Sequence, residues 1–330
     1  MNFETSDGFA KFLRGATRAL VIGIGGGGDI VGTLPTAQLL KNFGAETILG
    51  GVAWERVVFD PTPGCRHLEE VEGVRPLHKA VWWAGKEART KTGVRFTEAR
   101  VAEILGKDAI LVSVHHGPKV LAEGIVEAAR ALGLDRVVGV DVGGDAIATG
   151  EEKGLRSPLC DAVVVAALAR AAREIPALLG ILGYGSDAEL SPEEIDRNLS
   201  ELAAAGGFLG AWGITPEVAD RMEDLARAVG TEASALPVHC FRGEQGLRAI
   251  RHGTRFVRLS PVCAVTFYLD PKVVAARGRS LAHIVESANS LEEANDALHA
   301  MGLRTELDLE RQMAVLGTRD YRDVPRPGHA

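Results

Sequence analysis

Five short runs of this chain are apolar almost from end to end and bounded by glycine or polar residues, and such runs read as strands covered on both faces. They are residues 18–24, ETILGGV at 46–52, AILVSV at 109–114, DRVVGVDV at 135–142 and IPALLGILG at 175–183. Helical patterns separate several of them, at 31–43, 118–132 and 159–173. Pro35 fits a helix only in its first turn, so the first of these helices is predicted to begin near Thr33. Strands alternating with helices imply parallel βαβ units. The expected fold is therefore α/β and Rossmann-like, a mainly parallel sheet with helices on both faces.

From about residue 191 the pattern is less regular. Helices are predicted at 191–205, with Ser191 as cap and Glu194 three residues on, and at 215–229, with Thr215 before Pro216. Residues 254–271 alternate as a strand, with Pro261 at a bulge or an edge. Further helices are expected at 279–288 and 291–301, and 318–330 as a disordered tail. The whole reads as a single α/β domain over 1–330 with a helical insertion, with two lobes as the alternative.

Composition narrows the function. With 46% hydrophobic and 25% charged residues the chain is neither fibrous nor disordered. A net charge of −7 argues against a nucleic-acid partner. The N-terminal MNFETSDGFAKFLRG has no apolar export core, and no run is long enough to span a membrane. Cys65, Cys160, Cys240 and Cys263 form no C-x-x-C and read as reduced, packed thiols. A cytoplasmic homo-oligomer with a small-molecule ligand is the expectation.

The 39 glycines concentrate where chemistry is expected. GIGGGGD at 23–29 follows the first strand and opens the first helix. Gly23, Gly25 and Gly28 satisfy G-x-G-x-x-G, and with Gly26 and Gly27 they form a candidate cofactor loop whose bare amides favour an anion. Asp29 ends the loop and would repel phosphate unless a cation intervenes. Glu55 is the nearest acid for a dinucleotide ribose, and no G-K-[ST] is present. DVGGD at 141–145 ends the fourth strand, and GYGSDAEL at 183–190 ends the fifth with Asp187 and Glu189. In an open parallel sheet these loops share the carboxyl edge, where ligands bind.

That edge gathers Asp29, Asp141, Asp145 and Asp187. Asp141 and Asp145 are candidate catalytic residues. Asp29, Asp145 and Asp187 are candidate ligands for Mg²⁺, a hard cation that prefers carboxylate oxygens. The same acids could instead hold a cationic substrate directly. His115 and His116, after the third strand, are further catalytic candidates as a general base or metal ligand. Ser157 reads as a helix cap before Pro158, with Asp161 in the same turn, and Arg56 and Arg66 as solvent-facing arginines, with a grip on a carboxylate or phosphate as the alternative.

Several segments resemble a family of archaeal and actinobacterial proteins known only as a domain of unknown function. They are GIGGGGDIVGTLPTA, WERVVFDPTPG, GVDVGGDAIATG, LRSPLCDA, GYGSDAELSPEE, GAWGITPE and RLSPVCAVTFYLDP. The resemblance runs from about Ala19 to Pro271. A weaker similarity links GGGGD and DVGGD to D-glutamate cyclase-type proteins, which implies a lyase on a small amino acid. The leading expectation is an enzyme that binds a nucleotide or small polar metabolite, with Mg²⁺. A lyase or hydrolase on an amino acid-like substrate, an NAD(P)-dependent oxidoreductase and a non-catalytic ligand-binding protein are the alternatives.

Overall fold

The computed structural model describes residues 8–324. Residues 1–7, where the export signal was sought, and 325–330, the end of the expected tail, lie outside the described residues.

A nine-stranded sheet runs through the chain. Its centre is the five apolar runs, now β1 (Arg18–Gly23), β2 (Glu46–Val52), β5 (Ala109–Val112), β6 (Arg136–Val142) and β7 (Ala177–Leu182). All neighbours among them are parallel, in the order β5-β2-β1-β6-β7. The chain builds outward from β1 through β2 to β5, then returns to β6 beside β1. That reversal opens a crevice beyond the carboxyl ends of β1 and β6.

The edges are antiparallel. β3 (Val71–His78) and β4 (Val81–Thr90) extend the sheet past β5, and β11 (Val265–Leu269) and β8 (Phe208–Gly213) extend it past β7. The segment from 191 thus adds strands to the sheet as well as helices. Residues 254–271 are not one strand. Pro261 supplies no N–H to a ladder, and the chain breaks there into β10 (Arg255–Leu259), a 3-10 turn and β11. β10 pairs only with β9 (Gly246–Ile250), in a ribbon separate from the main sheet.

Alternate residues of the central strands face two different cores. Leu20, Ile22, Leu179 and Ile181 point into one, and Ala19, Val21, Leu178 and Leu182 into the other. Both faces are covered, as the continuous apolar runs require. Helix Pro158–Ala171 is buried at every position except Arg170. Helices Gly117–Leu132, Pro271–Ala276, Leu281–Val285 and Leu291–His299 pack around it. Ser191 and Glu194 form the expected capping box, whereas the Thr215 side chain makes no cap hydrogen bond. Residues 318–324, expected to be disordered, instead include a 3-10 turn, and Val324 packs on Val57 and Met313.

Gly139 in β6 sets how closely the buried helix approaches the sheet. A β-carbon there would lie 2.4 Å from Leu168 Cδ1 and 2.9 Å from Ile24 Cγ2. Gly139→Ala should therefore destabilise the protein by about 1–3 kcal/mol through overpacking. Urea unfolding should show a lower midpoint at unchanged slope; an unchanged midpoint would show that the contact yields freely.

Candidate functional site

The crevice is built by four turns. After β1 the chain swings through Gly26 and Gly27, at φ of 77° and 57°, into the one-turn helix Asp29–Gly32. Three contacts hold this loop from outside. Arg56 Nη2 donates to Gly25 O at 2.6 Å, Gly27 N donates to Trp54 O at 3.0 Å, and Ser234 Oγ donates to Gly28 O at 3.0 Å. The amides of Ile24, Gly25 and Gly27 are satisfied within the protein. Ile24 N donates to Val140 O at 3.0 Å, and Gly25 N donates to Asp29 Oδ2 at 2.9 Å. Asp29 thus takes the place on the Gly25 amide that a ligand anion would take. Glu55, the sequence candidate for a ribose contact, is buried and accepts from the amide and hydroxyl of Thr97.

The second turn carries Asp141, the penultimate residue of β6, and Asp145, which opens a 3-10 turn. Asp141 Oδ2 accepts from Ala146 N at 3.3 Å. Asp145 brings a carboxylate oxygen within 4.8 Å of one from Asp141. The third turn is the start of helix Pro158–Ala171. Ser157 does not cap it, because its hydroxyl donates instead to Glu189 Oε1 at 2.8 Å. The first amides of the helix are capped from afar by Glu306, which accepts from Leu159 N at 3.1 Å and Cys160 N at 2.8 Å. Asp161, in that first turn, points its carboxylate at the glycine loop: a β-carbon on Gly25 would meet Asp29 Oδ2 at 2.6 Å and Asp161 Oδ2 at 3.3 Å. The fourth turn brings Asp187, whose Oδ1 accepts from Glu189 N at 3.0 Å.

Asp141, Asp145 and Asp161 each offer an oxygen within 4.8 Å of the others'. Asp145, Asp187 and Glu189 form a second such group. The two are not equivalent. Glu189 is already engaged by Ser157 and by Arg255 Nη1 at 3.3 Å. Asp161 is 2% exposed and its Oδ1 has no hydrogen-bond partner. Of the residues singled out in the sequence, Asp141, Asp145 and Asp187 therefore come together. Asp29 belongs to neither group, and its Oδ2 borders the same space beside Gly25 as Asp161 Oδ2.

His115 and His116 gather elsewhere. Their rings stand 5.0 Å apart, and His67 lies 4.8 Å from His115. Burial, then neighbouring positive charge, lowers the pKa of both below the ordinary value for histidine. The charges that shift them are those of His67, His78, Lys79, Glu70 and Glu292, not those of the aspartates.

Residues 20–314 match a family model described as a protein of unknown function (DUF1152). The chain belongs to the DUF1152 family. No curated protein and no solved structure matches it. The match to DUF1152 spans all four turns of the crevice and reaches Glu306 and Glu310. Among the described residues no helix is long and apolar enough to cross a membrane.

Sequence reasoning treated Asp161 only as part of a cap, and did not reach Glu306. A signal for Asp161 was present: it is the only acid in PLCDAVVVAALARA, a helix otherwise fit for complete burial. Glu306 gave none, because its nearness to the crevice arises only when helix Glu306–Leu316 docks there. Glu310 of the same helix accepts from Trp54 Nε1 at 2.8 Å and Gly64 N at 2.9 Å, and so braces the segment that holds the glycine loop.

Burial drives Asp29, Asp187 and Glu306 each up to about 7. It drives Asp141, Asp145 and Asp161 well above the usual carboxylate range, with neighbouring aspartates adding to the effect. A carboxyl whose pKa is higher folded than unfolded holds its proton longer in the native state. Its contribution to stability is therefore present at low pH and is lost as pH rises from about 4 towards 7. In chelator-treated protein this cluster should lower the melting temperature between pH 5 and pH 7.5. Asp161→Asn should flatten that fall; an identical slope in the variant would show that the cluster does not titrate as described.

Proposed function

We propose that this DUF1152 chain is an enzyme that binds a small polar metabolite or nucleotide at the carboxyl edge of β1 and β6, through a divalent cation such as Mg²⁺ held by Asp141, Asp145 and Asp161. The observation that carries this reading is the buried, unpartnered Oδ1 of Asp161 beside two other carboxylates. Ionised carboxylates cannot crowd together out of water unless a cation or protons join them. Hard oxygen ligands suit Mg²⁺ or Mn²⁺, and Mg²⁺ commonly keeps open positions for a substrate's oxygens. Such a cation would supply Lewis-acid polarisation or an activated water. Asp29 and Asp187 are then the groups beside the cation able to take up or release a proton. Their raised pKa values suit general acid–base work near neutral pH.

The engagement of the Gly25 amide by Asp29 favours this route over phosphate bound at that point of the loop, and the engagement of Glu55 by Thr97 disfavours a nicotinamide dinucleotide. The reading places the enzyme in the cytoplasm, which four buried cysteines outside any disulfide support.

The test is thermal stability of chelator-treated protein with added Mn²⁺ or Mg²⁺. Binding only to the folded state should stabilise it by ~2.7 kcal/mol at a hundredfold excess over Kd. Asp161→Asn keeps the side-chain shape but removes the charge. It should leave the metal-free protein as stable or more so, and abolish the metal-induced rise. A wild type indifferent to both ions would end the cation reading, and stabilisation by amines or guanidinium without metal would favour a cationic substrate instead.

Gly25→Ala provides an independent check. Its methyl group would enter between Asp29 and Asp161 without requiring a left-handed backbone. The variant should fold but bind Mn²⁺ at least about tenfold more weakly, a loss of about 1.4 kcal/mol. Isothermal titration giving equal affinities would place the ion away from this loop.

A further inference from the structure

The crevice has a positively charged cover that the cation reading leaves without a role. The ribbon of β9 and β10 turns through Arg251 and His252, both in left-handed conformation at φ of 51° and 56°. Non-glycine residues rarely adopt that conformation in succession, and it is retained where the surroundings fix it. Here Glu232 Oε2 accepts from the Arg251 amide at 2.9 Å. The inner face of the ribbon, Ile250, Val257 and Leu259, packs with Tyr184 and Ala188 of the turn that carries Asp187. Arg255 reaches beneath it and donates to Asp187 O at 3.1 Å and to Glu189 Oε1. That arginine is satisfied within the fold.

Arg251 is not used in the same way. Its Nε is buried without a hydrogen-bond partner, and its amide is held by Glu232, next to Thr231, which lies against Gly28 of the glycine loop. A buried guanidinium N–H without an acceptor costs free energy until something supplies one. Arg56 donates to Gly25 O of the glycine loop, with Glu306 and Glu310 as its main countercharges. Two guanidinium groups therefore come to the glycine loop from different elements of the fold.

We propose that Arg251 binds an oxyanion of a phosphoryl group on the substrate, with Arg56 at the glycine loop, while other oxygens of the same group are ligands of the cation at Asp141, Asp145 and Asp161. This rests on the cation reading above and names the substrate class for that site. A phosphoryl group has enough oxygens to bridge a metal ion and a guanidinium fork at once. Charge compensation for such a group would come from the ion and the arginines.

The test is isothermal titration of the full-length protein with Mn²⁺, and then with inorganic pyrophosphate in the presence and absence of Mn²⁺. Wild type should bind Mn²⁺, and should bind pyrophosphate only when Mn²⁺ is present. Arg251→Gln should weaken pyrophosphate at least about tenfold and leave Mn²⁺ affinity within about twofold. Arg251→Lys, a point charge without the fork, should recover part of the loss. Wild type that binds Mn²⁺ but not pyrophosphate overturns the inference, as does Arg251→Gln with unchanged pyrophosphate affinity. If Arg251→Gln does not fold, Arg251→Lys decides: an affinity equal to that of wild type overturns the inference. Failure of wild type to bind Mn²⁺ is a separate result, which removes the cation reading itself.

Discussion

Removing several carboxylates from water into one crevice is the constraint on which the rest of this molecule turns. Each such group is costly to bury, and more costly beside another of the same charge. Asp141, Asp145, Asp161 and Asp187 are nevertheless all buried where β6 and β7 end and helix Pro158–Ala171 begins. Much of the surrounding architecture serves to hold them there. The helix that carries Asp161 is enclosed by five others, and Gly139 lets it lie close against the sheet. Glu306 arrives from the last long helix to satisfy the amides that would otherwise be left open at its start. A helix start already neutralised by one acid leaves Asp161 free of a capping duty.

The glycine loop shows how one sequence pattern can serve another physical purpose. Gly23, Gly25 and Gly28 have the spacing of a phosphate loop, and the loop joins a strand to a helix as such loops do. In this protein the amides turn inward, to Asp29, Val140 and Trp54. What the missing side chains provide is room. Gly25 leaves space between two carboxylates, and Gly28 lies under Thr231, whose Oγ1 would be 2.1 Å from a β-carbon. The loop is a spacer that lets an acidic site close under a cover. Charge balance then has to come from arginines on neighbouring elements and from whatever cation enters.

The outer histidine group is a second polar region on the same side of the sheet, after β5. His115 and His116 share their surroundings with His67, His78 and Lys79 rather than with the aspartates. A shared sheet edge was the reason to join the two groups in sequence. In the fold β2 lies between β5 and β1, so residues after β5 begin two strands away from the crevice.

The central strands were legible in the sequence for a direct reason. A strand covered on both faces has apolar residues at every position, so β1, β2, β5, β6 and β7 stand out against any background. The glycine-plus-aspartate turns after β1, β6 and β7 were legible too, since a parallel sheet places such turns on one edge. The edge strands were not. β3 and β4 mix Glu, Arg, Lys and Trp because one side meets solvent, and the 254–271 segment hides a break at Pro261 within an alternating pattern. Sequence alone thus determined the parallel core, and that Asp29, Asp141, Asp145 and Asp187 would lie along its carboxyl edge. Only the tertiary structure decided that Asp161 completes the cluster, that Glu306 replaces Ser157 as the helix cap, and that the ribbon carrying Arg251 packs against the turn of Asp187. Those residues are brought in by helices and a ribbon whose docking depends on long-range packing, and a local sequence pattern carries no record of what will pack against it.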